Sequence, residues 1–464
     1  MTPVVVGAGP AGVRAVEQLV RAGLRPVWVE EAPDGGGRIY QKPPPGFARD
    51  HRALYGADAA RAEALHEALK ALKPRTDWRP GTLVWNIRPR DGLIDTLSDG
   101  TRAEVLPWDA LILCTGAMDR VVPLPGWTLP GVTTLGGSQV SLKTQGLGIG
   151  RRVVFLGTGP LLLLVAYQYA KAGAEVAAVL DTSGFGAKAR AAPGLLWNTP
   201  TFFRGLRYMA ALRARRVPLY EGVTPLAIEG EGNVAAVVWR DARGVEHRTT
   251  CDAAAMGWGL KPEAQLADLA GVPFRFDSLQ HNWVPQKDAA GRSPVPGVYL
   301  AGDGASIGGA EVAELAGARA ALALLQDHDI PVDAALTTHL DRRLRAEARF
   351  RAALERAFPF PAPLAAGMAD TTILCRCEAV TAGEFRAALR DTAPTGAARE
   401  VNRAKAFSRV GMGRCQGRVC GPAAAEILAA EQGCDIEQAG RLRGQPPVKP
   451  LPMPLVTTTA VAAQ

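Results

Sequence analysis

Short apolar runs recur along this chain, each stopped by glycine and followed by a stretch with helical spacing. Pro3-Val4-Val5-Val6 reads as a buried strand, and after Gly7-Ala8-Gly9-Pro10-Ala11-Gly12 the positions from Val13 to Ala22 read as a helix. Arg25–Val29 is the next strand. Leu111-Ile112-Leu113, Arg152–Leu156, Glu175–Leu180 and Val298–Ala301 repeat the pattern, with helices expected through Ala172 and over Glu311–Leu325. Strands alternating with helices predict an α/β fold of βα units. From Pro331 to Ala366 the pattern is largely helical as far as Phe358, which reads as a linker or docking helix. Gln445–Gln464, rich in Pro, Thr and Ala, reads as a mobile tail or a partner-bound arm.

At 464 residues the chain exceeds one compact core, and its length suggests about three units. Hydrophobic residues make up 47% and charged residues 21%, which excludes a disordered or collagen-like chain. The net charge of +8 comes from scattered arginines; Arg342, Arg343, Arg345, Arg349 and Arg351 alternate with Leu344, Ala348, Phe350 and Leu354 as a solvated helix face would. Charge therefore gives no case for nucleic acid. Strand residues follow Met1-Thr2-Pro3 directly, leaving no room for a secretory signal, and the longest aliphatic run, Leu161–Ala166, is far too short to span a bilayer. A cytoplasmic location is expected, with peripheral attachment to the inner face of the membrane left open.

The turn Gly7-Ala8-Gly9-Pro10-Ala11-Gly12 sits between strand and helix. Gly7 permits the tight turn, Gly9 lets the backbone approach a pyrophosphate, and Gly12 lets helix pack on strand. Amides at the helix start, with the helix dipole behind them, favour phosphate. Glu30, at the end of the second strand, stands where a carboxylate accepts ribose hydroxyls, with Glu31 beside it. Gly35-Gly36-Gly37-Arg38 is a glycine loop carrying one cation. Flavoproteins with two dinucleotide-binding domains commonly carry such a loop beside the flavin diphosphate, and this segment resembles theirs. Two further segments are similar to that superfamily. Cys114-Thr115-Gly116-Ala117 resembles its crossover out of the FAD domain. Ala301-Gly302-Asp303 resembles its returning strand, whose Asp accepts a ribityl hydroxyl; Gly309-Ala310 then opens a helix expected to face the isoalloxazine. The resemblance implies FAD.

A second turn, Gly157-Thr158-Gly159-Pro160-Leu161-Leu162, has Leu162 in place of the third glycine. A leucine there is expected to push helix from strand and narrow the pyrophosphate slot, so NAD(P) stays an alternative that this position argues against. Asp181 ends the following strand. Ala254–Pro262 resembles the second crossover, handing the chain back to the FAD domain. There is no C-x-x-C or C-x4-C pair near the first helix or the glycine loop, which argues against a thiol–disulfide reductase.

Five of seven cysteines lie in the last fifth of the chain; Cys114 and Cys251 read as small buried hydrophobes and Cys434 as a spare thiol. Cys375-Arg376-Cys377 and Cys415…Cys420 form two close pairs, a spacing that admits zinc or an iron–sulfur cluster. Glycines at 411, 413, 417 and 421 and arginines at 376, 414 and 418 favour the cluster, bringing amides and positive charge to the sulfurs. The block resembles the bacterioferritin-associated-ferredoxin-like [2Fe-2S] domain, which implies Cys375, Cys377, Cys415 and Cys420 as ligands.

Together with Val122–Val132, these segments resemble the FAD-containing subunits of opine oxidases, D-hydroxyproline dehydrogenases and hydrogen cyanide synthase, over residues 1 to about 435. The resemblance implies a FAD domain at 1–118 and 275–330, an inserted NAD(P)-binding-like domain at 119–274, a helical linker at 331–370, the cluster domain at 371–435 and a tail at 436–464. It implies a FAD- and [2Fe-2S]-dependent oxidoreductase. Such a subunit relays electrons for a heteromeric dehydrogenase acting on the CH–NH bond of a secondary or cyclic amino acid (D-hydroxyproline, proline or an opine). The partners it implies are a small ferredoxin-like chain and an amino-acid-oxidase-like flavoprotein subunit. Glycine oxidation to cyanide, an NAD(P)H-dependent reductase and a redox-sensing scaffold are the alternatives. The six histidines, at 51, 66, 247, 281, 328 and 339, form no base constellation, and no catalytic residue is assigned.

Overall fold

The computed structural model describes residues 1–44, 46, 50–393 and 399–452. The apolar runs line up in two five-stranded parallel sheets. Across the first, the strands are Val298–Leu300, Ala110–Leu113, Pro3–Val6, Val27–Val29 and Asp77–Arg79, with Val5 registered against Trp28 and Ile112. Across the second they are Leu219–Glu221, Glu175–Asp181, Arg152–Thr158, Ala253–Trp258 and Val132–Thr134. Each sheet carries a three-stranded antiparallel excursion, at 82–107 and 224–250. Every residue of Pro3–Val6, Ala110–Leu113 and Ala253–Trp258 is buried, because helices cover parallel sheets on both faces.

The helices that matter below are α1 (Pro10–Arg21), α2 (Pro160–Lys171), α3 (Phe185–Leu195), α4 (Thr199–Ala214), α5 (Ala310–Asp327), α6 (Ala334–Ala357) and α7 (Gly421–Gln432). α1 and α5 pack at very close range, which Gly317 permits: a Cβ there would lie 1.9 Å from the Ala11 carbonyl oxygen. The chain leaves the first sheet through Ala117–Asp119 and returns through Leu260–Pro262, and these two segments pair antiparallel as a double crossover. Short helices and a two-stranded ribbon, Ile373–Cys375 with Val380–Thr381, build the cysteine module. Its helix Ala382–Thr392 starts on a reciprocal cap between Thr381 and Glu384.

The segment read as a linker or docking helix packs as a docking helix, and part of the one read as a tail is bound to the rest of the chain. α6 buries Phe350, Ala353 and Ala357 against Ala191 and Leu195 of α3, so the apolar stripe between its arginines is a packed face joining the two halves. Residues 441–449 form a strap back to the first domain. Arg441 clamps Asp268 with two bonds of 2.7 Å, the Val448 amide donates to the Trp85 carbonyl at 3.0 Å with its side chain buried, and Lys449 pairs with Glu31. Proline-rich composition fits a strap as well as a tail, since its few amides need few partners. Residues 453–464 of the expected tail lie outside the described residues.

Candidate redox site

At the first turn, the amide of Gly7 donates to the Val29 carbonyl and that of Cys114 to Val6, which fastens the loop to strands on both sides. Gly7 has φ +102°, and a Cβ on Gly12 would lie 1.9 Å from the Gly7 oxygen; both positions require glycine to bring α1 onto the strand. Gly9 is different. Its φ of −77° suits any residue, and a Cβ would meet nothing closer than the Gly37 Cα at 3.5 Å. That is ordinary contact, so the fold by itself does not require glycine there. Gly37, at φ +62°, faces it, and Arg38 is exposed with no ion pair among the described residues. Glu30 accepts the amides of Ala8 (2.6 Å) and Ala32 (2.8 Å), one on each oxygen, leaving a further lone pair on both. Burial pushes its carboxyl up, against the pull of those amides. Glu31 pairs with Lys449.

The other end of the cradle is built where α5 begins. Gly302, at φ +69°, brings Asp303 beneath α1 and α5, and one Asp303 oxygen accepts the amides of Gly308 (2.8 Å) and Gly309 (2.9 Å). Among the described residues the second oxygen accepts no hydrogen bond. Gly309 caps α5 and Ala310 is its first residue, so the helix start points where the sequence motif places it. Facing them, Thr115 donates to the Glu263 carbonyl (2.5 Å) and the Glu263 amide to the Gly116 carbonyl (3.0 Å), which locks the outgoing crossover to the returning one. A glycine turn at a helix start, a buried acid at one end and a half-free acid at the other fit an extended dinucleotide such as FAD.

The second turn is built differently. Gly157 (φ +141°) and Gly159 (φ +101°) keep its shape and α2 follows, but Leu162 is fully buried among Leu135, Phe155 and Val165. Asp181 is committed internally: it accepts Thr158 Oγ1 at 3.0 Å, the Ser183 amide at 2.9 Å and Lys188 Nζ at 2.6 Å. Burial raises its pKa, with Lys188 the main opposing influence. A nucleotide ribose would have to displace that set.

In the cysteine module, Cys375 meets Cys420 and Cys377 meets Cys415. Cys375 also accepts the amides of Gly411, Cys377 and Glu378; the Cys420 hydrogen bond and these amides hold it down to about 6, while Cys420 is pushed up as the partner that keeps the proton. A Cβ on Gly413 would lie 2.2 Å from the Cys377 Cβ, so the loop closes on the thiols through a glycine. Among the described residues no three ligands converge as a cage for one ion. Two dithiol pairs within amide reach suit the two irons of a [2Fe-2S] cluster better than one tetrahedral zinc. Cys114 and Cys251, raised by burial to about 12 and about 11, are inert thiols.

The sequence reading missed what joins the two centres. Arg418, between Cys415 and Cys420, binds the Glu263 carboxylate at 3.0 and 3.1 Å, and Gln265 reaches the Gln416 carbonyl at 3.4 Å. Lys261 lies on the same segment and lines a cleft of about 120 Å³ with Glu263, Trp283, Phe360 and Arg418. Burial depresses its pKa, and the nearby Glu263 and Cys420 oppose that shift. Arg120, buried, donates to the carbonyls of Trp258 (2.8 Å), Gln280 (2.8 Å) and His281 (2.9 Å) and lies over the Phe360 ring. His281 in turn meets Glu426 of α7 at 2.5 Å. Lys261-Pro262-Glu263 after an apolar crossover was the one available signal.

A family model of the pyridine nucleotide-disulphide oxidoreductases matches residues 1–321, and one of the BFD-like [2Fe-2S] binding domain matches residues 373–430. An opine oxidase subunit of Rhizobium meliloti (strain 1021) is 36% identical over 97% of this chain and 96% of its own. Hydrogen cyanide synthase subunit HcnB of Pseudomonas aeruginosa is 33% identical over 97% of both. Among solved structures, L-proline dehydrogenase from P. horikoshii superposes with a TM-score of 0.72 over 97% of this chain and 78% of that one; at 18% identity this speaks for the fold alone. No described helix is long and apolar enough to cross a membrane. The chain thus belongs to the pyridine nucleotide-disulphide oxidoreductase family, in the group with HcnB and the opine oxidase subunit, and is a FAD- and [2Fe-2S]-dependent oxidoreductase subunit of the amino-acid dehydrogenase type.

Proposed function

We propose that this subunit relays electrons for a heteromeric dehydrogenase that oxidises the CH–NH bond of a secondary or cyclic amino acid, of the D-hydroxyproline, proline or opine type. The substrate site then lies on an amino-acid-oxidase-like partner, with a small ferredoxin-like chain as a further companion, in the cytoplasm. The observation that carries the reading is the segment Lys261–Gln265, which touches Thr115 and Gly116 on the flavin side and Gln416 and Arg418 on the cluster side. A flavin accepts two electrons and a [2Fe-2S] cluster passes them on singly, which is the chemistry this junction would serve.

In this reading Gly9, Pro10, Ala11, Gly12, Gly37 and Arg38 hold the diphosphate and Glu30 the ribose. Asp303 takes the ribityl chain, and Thr115, Gly116, Gly302, Gly309 and Ala310 shape the isoalloxazine end. Cys375, Cys377, Cys415 and Cys420 hold the irons. Glu263 fixes Arg418, and with it the cysteine loop, against the crossover, beside a cleft lined by Phe360 and Trp283. Relatives that are subunits by name support a multi-subunit enzyme. The likeness to HcnB supports glycine as a second substrate to test. An NAD(P)H-dependent reductase is disfavoured by the committed Asp181.

The test is anaerobic co-expression with the neighbouring reading frames, followed by visible and EPR spectra with D-hydroxyproline, proline, an opine and glycine. Flavin bleaching with a rhombic [2Fe-2S] signal on one amino acid is expected. Reduction by NADH alone would replace the reading with the reductase.

A further inference from the structure

The cleft between the returning crossover and the cysteine module is lined by four basic and three acidic side chains. Three pairs account for the acids: Arg418 with Glu263, Arg441 with Asp268, and His281 with Glu426. Lys261 is left over. Its side chain is half-buried and makes no ion pair or hydrogen bond among the described residues.

The backbone fixes where that charge stands. Lys261 is the middle residue of the strand Leu260–Pro262 and lies opposite Met118 in the antiparallel pairing, and both residues line the cleft. On one side Asn282 donates to the Leu260 carbonyl at 3.2 Å; on the other the Glu263 amide donates to the Gly116 carbonyl at 3.0 Å. Gly417, Arg418 and Gly421 of the cysteine loop line the same cleft. Burial lowers the pKa of Lys261, and Glu263, Cys420 and Cys415 are near enough to oppose that shift. The other cations about the thiols are screened or spent. Arg376 and Arg414 are exposed to water and salt, while Arg409 and Arg418 each face an acid, Glu378 and Glu263. A charge acts more strongly in a partly dry cleft than at the surface.

We propose that Lys261 sets the reduction potential of the [2Fe-2S] cluster, as the unpaired positive charge that stabilises the electron arriving there. The inference rests on the reading of Cys375, Cys377, Cys415 and Cys420 as the ligands. Each reduction takes one electron from the reduced flavin, turns one ferric iron ferrous and adds one negative charge to the cluster. A cation fixed beside the thiolates favours that added charge, so the potential is higher with Lys261 than without it. Lys261 thereby biases electron flow from flavin to cluster, whichever amino acid supplies the electrons.

The test is a potentiometric titration of the full-length protein, with flavin and cluster bound, followed by EPR of the reduced cluster. Lys261→Met and Lys261→Gln should each make cluster reduction about tenfold less favourable, which is about 59 mV on a one-electron couple, with the cluster signal retained. Lys261→Arg keeps the charge and should titrate near wild type. A midpoint that neither Met nor Gln moves would overturn the proposal, and so would an Arg variant shifted as far as the Met variant, since packing and not charge would then set the potential. If neither neutral variant loads a cluster, Lys261 builds the site instead of tuning it, and the proposal falls. A wild-type protein without a [2Fe-2S] signal would bring down the ligand reading itself, whereas a normal signal with an unmoved midpoint removes the role of Lys261 alone.

Discussion

Gly9→Ala separates binding from folding at the dinucleotide turn. The new methyl would stand 3.5 Å from its nearest neighbour on a backbone of φ −77°, so the cofactor-free protein should melt as wild type does. The same methyl occupies the approach to the start of α1. Displacing a diphosphate from one charge-assisted amide contact costs about 3 kcal/mol, or roughly a hundredfold in FAD affinity. FAD fluorescence titration of the deflavinated protein reads the affinity, and a thermal melt of the same sample reads the fold. Gly12→Ala is the contrast: its Cβ would lie 1.9 Å from the Gly7 oxygen, so stability and binding should fall together. A Gly9→Ala protein that purifies with full flavin would refute the cradle, and one that melts early without cofactor would show that the space over Gly9 serves folding.

Four more outcomes are expected. Cys377→Ser or Cys420→Ser should abolish the [2Fe-2S] absorbance and EPR signal, whereas Cys251→Ser and Cys434→Ser should leave both. Glu263→Gln should retain flavin and cluster yet slow cluster reduction in stopped-flow, since Arg418 loses its anchor; an unchanged rate would remove the junction from the path. Arg120→Met strands three carbonyls and should cost about 3 kcal/mol, visible as a lower melting temperature. Burial depresses Lys143 to about 8, so between pH 8 and 9.5 the unfolded chain holds more protons than the folded one and this group makes stability rise with pH. Lys143→Met should flatten that slope in melts across the window; an equal slope would show that another group sets it.

How much of this was legible in the sequence follows sequence distance. Gly7 to Gly12 and the cysteine pairs are local patterns, each a turn whose glycines answer to atoms within a few residues or on the next strand. Asp303 was legible because an apolar strand and a glycine precede it. The joints were not. Glu263 and Arg418 are 155 residues apart, Arg120 and His281 161, and Lys449 and Glu31 418, and no period or composition encodes such meetings. At Leu162 the missing glycine was visible in the sequence, and the core that takes its side chain was not. The arginines of α6 were read as a solvated face, and the stripe between them was left without the partner that α3 supplies.

The strap has a mechanical consequence. The cysteine module enters through Phe360, pinned under Arg120 and against His281, and leaves through Arg441 and Val448, pinned to the first domain. Held at both ends of its own segment, it has no free terminus about which to swing. Electron hops across the junction would therefore run at a fixed gap, with no search step, and their rate should be insensitive to solvent viscosity. The same anchoring makes the carboxyl end a poor place for a truncation: cutting before residue 441 would free one end of the module and turn a wired pair into a tethered one.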